Sequence, residues 1–261
     1  NPNRQNMHES LFVASTNSTD GRSGFTNYGI GIDISAPGSS VLSTEPDGTY
    51  GTKSGTSMAA PNAAGVAALI WSANPTWTRD QVAAQLLGTA DDIYALNPGY
   101  EGLLASVLVN SNRAVNETLA PPEIETVAEL PTSGGVLTES ISTLTVELAN
   151  IFDKTSIENI SNWELLSDGA DNIFGNSDDY IVPLTLQTEY LIGTNDLEFS
   201  IGGPLAQEHY RFRAISGGLT DPFGTALDGN GDGTAGDDFI VEFTVAAPEI
   251  AWDLQEPFGS L

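Results

Sequence analysis

The sequence contains no cysteine, and this absence excludes several kinds of site. Without thiols the chain forms no disulfide, binds no metal through thiolates and has no cysteine nucleophile. The absence does not fix the compartment, because a secreted protein can be stabilised by calcium instead of disulfides. Long hydrophobic runs are missing too: no apolar stretch reaches the roughly 20 residues that a membrane-spanning helix needs.

Basic residues are scarce: Lys and Arg number 8 against 35 Asp and Glu, which gives a formal net charge of −27. This argues against a nucleic-acid partner, because little basic surface is available to neutralise phosphates. Residues 1–115 carry 5 basic and 9 acidic side chains, whereas residues 116–261 carry 3 and 26. The shift predicts a domain boundary near residue 116. The acidic half is interpreted either as a solubility feature or as a cation-binding region.

A serine stands where a glycine-containing turn meets a long apolar segment, in the stretch GTSMAAP at residues 55–61. The pattern places Ser57 at a helix N-terminus, where unpaired N–H groups and a macrodipole of roughly +0.5 charge are found. Negative charge that develops on an oxygen beside the serine would be stabilised there, as acyl transfer requires. The alternative is that Ser57 serves only as the N-cap of the helix, a position that serine favours.

The stretch SGTSMAAP at residues 54–61 resembles the nucleophile motif of the subtilisin-like serine peptidases, or subtilases. Further segments resemble the same family: FTNYG at 25–29, DISAPG at 33–38, GVAAL at 65–69, and residues 109–115. The resemblance covers residues 1 to about 115, which correspond to the last part of a subtilase catalytic domain. It implies that Ser57 is the nucleophile and that polypeptides are the substrates.

The other members of a serine–histidine–aspartate triad are not found in the sequence. The chain holds two histidines, His8 and His209, and neither lies in a segment like the histidine motif of the subtilases. We predict surface or sheet-edge positions for both. Asp33 belongs to the DISAPG segment and is not the triad aspartate. The resemblance therefore implies that the upstream half of the catalytic domain supplies the histidine and aspartate, and that residues 1–261 alone hydrolyse peptides poorly.

The first half of the chain shows short apolar runs followed by helical patterns. Strands are predicted at residues 11–15, 30–35 and 41–43, and a turn at 46–49. A helix is predicted from about Ser57 to Ala73, apolar nearly all round and therefore expected to be buried. A capping box at residues 78–81 predicts a second helix through about Leu87. This order predicts an α/β fold, here a partial subtilisin-like parallel sheet with helices.

After Pro121-Pro122 the apolar residues alternate with a period of two. About seven strands and no convincing helix are predicted, a pattern typical of an all-β sandwich. This part resembles a bacterial immunoglobulin-like (Ig-like) module of the type appended to secreted enzymes. The predicted organisation is a partial catalytic domain at 1–117, a linker at 118–122, an Ig-like sandwich at 123–246 and a tail at 247–261 that leads to a further module.

Two acidic loops in the second half are candidate calcium sites. One contains Asp228, Asn230 and Asp232 at positions 1, 3 and 5 of a loop with Gly233 at position 6, as in calcium-binding loops. Phe239 replaces the usual glutamate at position 12, and Asp237 and Asp238 are the candidate substitutes. The weaker candidate consists of four aspartates: Asp168, Asp171, Asp178 and Asp179. The alternative for both is a turn rich in glycine and aspartate.

Two functions follow from these observations. The first is a secreted or cell-surface bacterial serine endopeptidase, present here as a fragment that lacks the triad histidine and aspartate. The second is a non-catalytic, calcium-binding surface or adhesion module with a relic peptidase region. The presence of histidine and aspartate motifs upstream would distinguish them, and the intact SGTSMAAP stretch argues against a relic. A carbohydrate-binding role is not favoured, because the sandwich shows no aromatic platform.

Overall fold

The structure, a computed structural model, describes residues 10–100, 102–104, 107–169 and 171–247. His8 and residues 248–261 of the predicted tail lie outside the described residues. The molecule combines a mixed α/β region with a region built from two β-sheets. Within the described part of the chain no helix is long and apolar enough to cross a membrane.

The described part of the N-terminal region is a small, mostly parallel sheet with three helices. Its sheet has the strand order β1-β2-β6-β5, in which β1, β2 and β6 run parallel and β5 pairs antiparallel to β6. Strands β3 and β4 form a separate antiparallel hairpin just before the first helix. The elements are β1 (Val13–Thr16), β2 (Ile34–Pro37), β3 (Val41–Glu45), β4 (Thr49–Lys53), α1 (Thr56–Ala73), α2 (Arg79–Gly88), β5 (Asp91–Asp92), β6 (Val107–Leu108) and α3 (Ser111–Asn116).

Both predicted helices are confirmed, and the capping box at the start of α2 is present. The Thr78 side chain accepts from the Gln81 amide, and the Gln81 side chain accepts from the Thr78 amide. The strand predicted at residues 30–35 is wrong in its first half, because β2 begins only at Ile34. Gly29 and Gly31 have positive φ angles and form a bend there, which leaves Ile30 84% exposed.

Helix α1 packs one face onto β1 and β2. Its buried residues are Ala59, Ala63, Val66 and Ile70, spaced three or four apart so that they share one face. The opposite face is exposed and includes Leu69 and Trp71. The expectation that α1 is buried all round is therefore wrong for the described structure, because its elements cover the helix from one side.

The C-terminal region consists of a five-stranded sheet, ordered β11-β10-β14-β15-β8, and a four-stranded sheet, ordered β12-β13-β9-β7. Pairing is antiparallel except between β15 and β8. The described residues of this region form nine strands and one short helix, against the seven strands and no helix predicted. They are β7 (Ile124–Val127), β8 (Gly135–Leu137), β9 (Thr143–Leu148), α4 (Lys154–Ile157), β10 (Trp163–Ser167), β11 (Tyr180–Ile181), β12 (Leu184–Leu186), β13 (Asp196–Ile201), β14 (His209–Ala214) and β15 (Phe239–Val245).

The inward side chains of both sheets form a single apolar core. Alternate residues of β9, β10, β13 and β14 are buried, as the period of two predicts. Trp163 of β10 contacts Phe199 of β13, with ring centroids 5.1 Å apart, and so joins the two sheets. Its indole N–H donates to the carbonyl of Ile157, which satisfies the polar atom of this buried ring.

The residues predicted as a linker are hydrogen-bonded to the C-terminal region. The Pro121 carbonyl accepts from the Asn150 side chain at 3.0 Å, and the Pro122 carbonyl accepts from the Asp228 amide at 2.9 Å. Leu119 lies against Gly88 at the end of α2. This segment is therefore bound to its surroundings along its length.

A seam joins the two regions directly. The rings of Trp77 and Phe223 meet edge to face, with centroids 4.8 Å apart. The Gln81 side chain donates to the Pro222 carbonyl at 3.1 Å. Ile151 and Ile192 of the C-terminal region also pack against the core of the N-terminal region. The start of α2 is thus fixed by contacts from the second half of the chain.

Candidate functional site

Ser57 is the second residue of α1, and its side chain is exposed. The N-cap of this helix is Gly55, and no side chain caps it, so the interpretation of Ser57 as an N-cap is wrong. The amides of Met58 and Ala59 donate to the Gly55 carbonyl. The earlier amides of the helix have no intrahelical acceptor, as at any helix N-terminus. The hydroxyl therefore lies beside backbone donors at the positive end of the helix dipole.

The turn before Ser57 is held by a close contact with the end of β2. The Gly55 amide donates to the Gly38 carbonyl at 2.8 Å. A Cβ atom at Gly38 would lie 2.8 Å from the Gly55 carbonyl oxygen and 3.0 Å from the Ala59 side chain, and would also collide with the Ser15 hydroxyl. Only glycine fits without displacement, so the glycine of DISAPG sets the position of the turn that carries Ser57.

A chain of hydroxyl groups lies beside Gly38, at the end of β2. The Ser15 and Ser23 hydroxyls are 2.8 Å apart, and Ser23 and Ser39 are 2.7 Å apart. The Thr26 hydroxyl accepts from the Ser15 amide at 2.9 Å. Sequence reasoning missed this network, because scattered serine and threonine residues give no periodic signal.

Pro61 lies inside α1, four residues after Ser57. A proline has no amide hydrogen, so the Ser57 carbonyl lacks the donor that an unbroken helix would supply. An interior proline costs about 3 kcal/mol or more in a helix. The first turn of α1 is consequently less tied to the rest of the helix, and the sequence signal for this feature was the proline of SGTSMAAP.

Asp33 and His209, the other titratable groups considered for a triad, have different partners. Asp33 is buried, and its carboxylate accepts from the Phe12 amide at 2.6 Å, which joins the segments that precede β1 and β2. The Nδ1 atom of His209 lies 2.7 Å from the Asp168 carboxylate in the C-terminal region. His209 begins the central strand β14, so of the two predicted positions, surface or sheet edge, the edge is wrong, and its side chain is 24% exposed. The described residues therefore bring neither group to Ser57 by a hydrogen bond.

In the loop that follows Leu227, the Asp228 carboxylate accepts from three backbone amides. Its Oδ1 accepts from Gly231 and Asp232 at 2.8 and 3.2 Å, and its Oδ2 accepts from Gly233 at 2.7 Å. Such bonds are typical of a turn closed by aspartate. The Asn230 side-chain oxygen also accepts from the Asp232 amide at 2.8 Å.

The two aspartates at the end of this loop are likewise engaged. The Asp237 carboxylate accepts from the Asn230 amide at 3.1 Å. Asp238 accepts from Arg213 Nε at 2.7 Å and from the Ser216 amide at 2.7 Å. Burial alone would raise the pKa of Asp238, but these hydrogen bonds hold the pKa below its usual value. Its charge is therefore already balanced by arginine.

The second acidic loop connects β10 to β11. Asp171 accepts from the Ile173 amide and the Asn176 side chain, and Asp179 accepts from the Gly175 amide at 2.6 Å.

At the base of this loop Asp178 lies against Gly169. Asp168 is buried, and its Oδ1 and the Oδ1 of Asp179 have no hydrogen-bond partner. Among the described residues, no group of three or more histidine and acidic side chains converges as a metal site built from side chains alone would require. The calcium hypothesis therefore stays a prediction for both acidic loops.

The comparisons with known proteins match the N-terminal region. The model of the subtilase family matches residues 2–121. Subtilisin NAT of Bacillus subtilis subsp. natto is 48% identical over 92 residues, which are 35% of this chain and 24% of that protein. M-protease of Shouchella clausii is 42% identical over 104 residues, or 40% of this chain and 26% of that protein. Subtilisin Savinase of Lederbergia lenta is 41% identical over 104 residues, or 37% of its length.

Two solved structures are also similar to the chain. A protease from Pseudoalteromonas arctica is 36% identical, with a TM-score of 0.37, and the match covers 41% of this chain and 35% of that one. A cold-adapted subtilisin-like serine proteinase is 39% identical, with the same TM-score, and is covered to 38%. The chain thus spans between about a quarter and two fifths of the length of the relatives named here. The family model and these relatives together support a subtilisin-like peptidase region in residues 2–121.

Proposed function

We propose that the chain is part of a secreted bacterial serine endopeptidase in which Ser57 is the nucleophile. The observation that carries this proposal is an exposed serine at the start of α1 whose hydroxyl does not cap the helix. Ser57 Oγ attacks the carbonyl of a polypeptide substrate and forms an acyl-enzyme, which water then hydrolyses. The backbone amide of Ser57 is one donor to the oxyanion that forms on the carbonyl oxygen.

The general base and its aspartate come from an upstream half of the catalytic domain. The exposed face of α1 supports this step of the proposal, because it presents Ala64, Ala68, Leu69 and Trp71 to solvent. An apolar helix face of this kind is stable when another element covers it. We expect the upstream half to pack there and to place its histidine beside Ser57. Without that half, the chain keeps the nucleophile, and the one histidine among the described residues, His209, is paired with Asp168 instead.

The experiment compares the longer protein, extended upstream of Asn1, with residues 1–261. We expect the longer protein to hydrolyse a peptide substrate, and Ser57→Ala to lower its kcat/KM at least about 10³-fold without changing its circular dichroism. Ser72→Ala, an exposed serine at the far end of the same helix, is the control and should leave activity unchanged. Labelling of Ser57 by a fluorophosphonate is expected only in the longer protein.

Two results would change the proposal in different ways. Equal activity of the longer protein and its Ser57→Ala variant would remove the nucleophile role and favour a relic region in a surface or adhesion module. Efficient turnover by residues 1–261 alone, abolished in Ser57→Ala, would keep the nucleophile but show that the upstream half is not needed.

The C-terminal region is proposed to be an Ig-like module of the secreted enzyme, over residues 123–246. Two sheets around one core, antiparallel except at β8, support this assignment. Residues 1–117 would then be the peptidase domain and 118–122 the connection. In the loop at 228–238, the hydrogen bonds of Asp228 to amides of the same loop support the alternative of a turn closed by aspartate. A rise in melting temperature on addition of calcium that is lost when Asp228 is replaced would support a calcium site instead.

A further inference from the structure

Asp168 directly follows β10 and Asp179 directly precedes β11, two strands that pair with each other. Strands β10 and β11 are antiparallel, with Leu166 opposite Ile181 and Ser167 opposite Tyr180. Continued by one step, this register would place Asp168 opposite Asp179. Directly opposed side chains have Cβ atoms about 4.5–5.5 Å apart, and like charges in such a pair are destabilising. The pair therefore needs something positive between its carboxylates.

The hydrogen bonds of the protein satisfy only part of these two carboxylates. The Asp168 side chain is 0% exposed, and its Oδ2 is bound by His209 Nδ1 at 2.7 Å. Its Oδ1 is buried and has no hydrogen-bond partner, and the same holds for Oδ1 of Asp179. A buried carboxylate oxygen without a partner loses its hydration and gains nothing in return. Two such oxygens, on residues at the two ends of one loop, are acceptors that a cation can bind.

We propose that Asp168 and Asp179 bind a single Ca²⁺ ion through these two Oδ1 atoms. Calcium takes six to eight oxygen ligands in flexible geometry, so two carboxylates can be completed by main-chain oxygens and water. Magnesium demands a near-ideal octahedron, and zinc prefers nitrogen and sulfur ligands. A pair of carboxylate oxygens at the ends of a loop, without a fixed octahedral arrangement, therefore favours calcium over either of them.

The described residues of the loop between Asp168 and Asp179 pack against β14. Phe174 packs against the His209 ring, with centroids 5.0 Å apart, and the Arg211 guanidinium lies 4.6 Å from the Phe174 ring centre. The Gly175 amide donates to Asp179 Oδ2, which leaves Oδ1 as the oxygen available to the ion. By binding both Asp168 and Asp179, calcium would thus join the two ends of the loop at 169–178 and keep β11 at the edge of the sheet. This site lies in the C-terminal region and does not depend on the peptidase proposal.

The test measures thermal unfolding of the full 261-residue chain in EGTA and in 10 mM CaCl₂, at matched ionic strength. With a Kd of about 10⁻⁴ M, at the tight end of the range of extracellular calcium modules, we expect a rise of about 5–10 °C. Asp179→Asn should abolish the rise. In EGTA the same variant should melt above the unsubstituted chain, because it removes the repulsion between the opposed carboxylates.

Asp196→Asn is the matched control, since it makes the same change at an exposed strand end in the other sheet. It should retain the full calcium shift, as should Asp232→Asn in the other acidic loop. Titration calorimetry with CaCl₂ should show one site that Asp179→Asn removes. The proposal is overturned if calcium gives no shift beyond that of NaCl, if MgCl₂ gives an equal shift, or if Asp179→Asn keeps the calcium response. If calcium gives no shift and Asp179→Asn melts above the unsubstituted chain both in EGTA and in CaCl₂, the result would instead indicate a proton shared by the carboxyl groups of Asp168 and Asp179.

Discussion

Replacing Gly38 by alanine should loosen the turn that carries Ser57. The added Cβ would lie 2.8 Å from the Gly55 carbonyl oxygen, a backbone atom that cannot move without displacing the start of α1. It would also collide with the buried Ser15 hydroxyl. Overpacking of this kind costs about 1–3 kcal/mol. Since 1.4 kcal/mol is a factor of ten in an equilibrium constant, amides in the first turns of α1 should exchange about 5–150-fold faster.

The assay is hydrogen–deuterium exchange of the peptides that cover α1, read by mass spectrometry. Gly65→Ala is the matched control, because a Cβ there meets nothing within 4 Å and lies on the exposed helix face. Alanine should stabilise the helix at that position by about 0.5–1 kcal/mol and slow exchange. Adding Ser15→Ala to Gly38→Ala should recover only part of the loss, because the Gly55 carbonyl remains. Unchanged exchange in Gly38→Ala would refute the steric argument.

Two further substitutions test the seam and the acidic loop. Phe223→Ala removes the ring that contacts Trp77. Because an aromatic pair contributes about 0.5–1.5 kcal/mol beyond burial, the backbone amides of α2 should exchange about 2–10-fold faster. Equal exchange rates in the two proteins would show that the seam does not support α2. Asp238→Asn should reduce the fall in melting temperature as the pH is lowered. The folded pKa of Asp238 is lowered, so its stabilisation is complete above the unfolded pKa of about 4 and is lost as pH falls through the folded pKa. Melting temperatures that fall equally for both proteins below about pH 4 would contradict this.

The strongest sequence signals were those with a local physical cause. The capping box at Thr78 and Gln81 was correctly predicted, because two reciprocal hydrogen bonds within one turn define it. The period of two in β9 and β14 likewise follows from one buried and one outward face. The Ser57 motif was recognisable because a glycine turn, a serine and a small-residue helix stand together.

The failures came from interactions that no local pattern encodes. Ile30 and Ile32 alternate like a strand, but Gly29 and Gly31 bend the backbone, so alternation alone was misleading there. Strand β4 was missed because its pairing with β3 depends on the hairpin turn rather than on apolar residues. The exposure of Leu69 could not be read from the sequence, since burial depends on which elements surround a helix.

Which carboxylate oxygens lack a hydrogen-bond partner could not be predicted from the sequence either. The four aspartates at residues 168–179 looked equivalent as a motif. The structure separates them, because Asp171 is bound within its own loop while Asp168 and Asp179 each keep a buried oxygen without a hydrogen bond. Register and burial, which arise from tertiary packing, make that distinction.

The parallel pairing of β8 with β15 has a consequence for synthesis on the ribosome. Phe243 of β15 pairs with Gly135 on one side and with Tyr210 of β14 on the other. At about 5–20 residues per second, translation from Gly135 to Phe243 takes about 5–20 s. Through that interval β8 has an open edge that accepts strands from other nascent chains, and β14 has one from the time that His209–Ala214 has been translated. A chain terminated before Phe239 would keep both edges open permanently, and we expect such products to aggregate or be degraded.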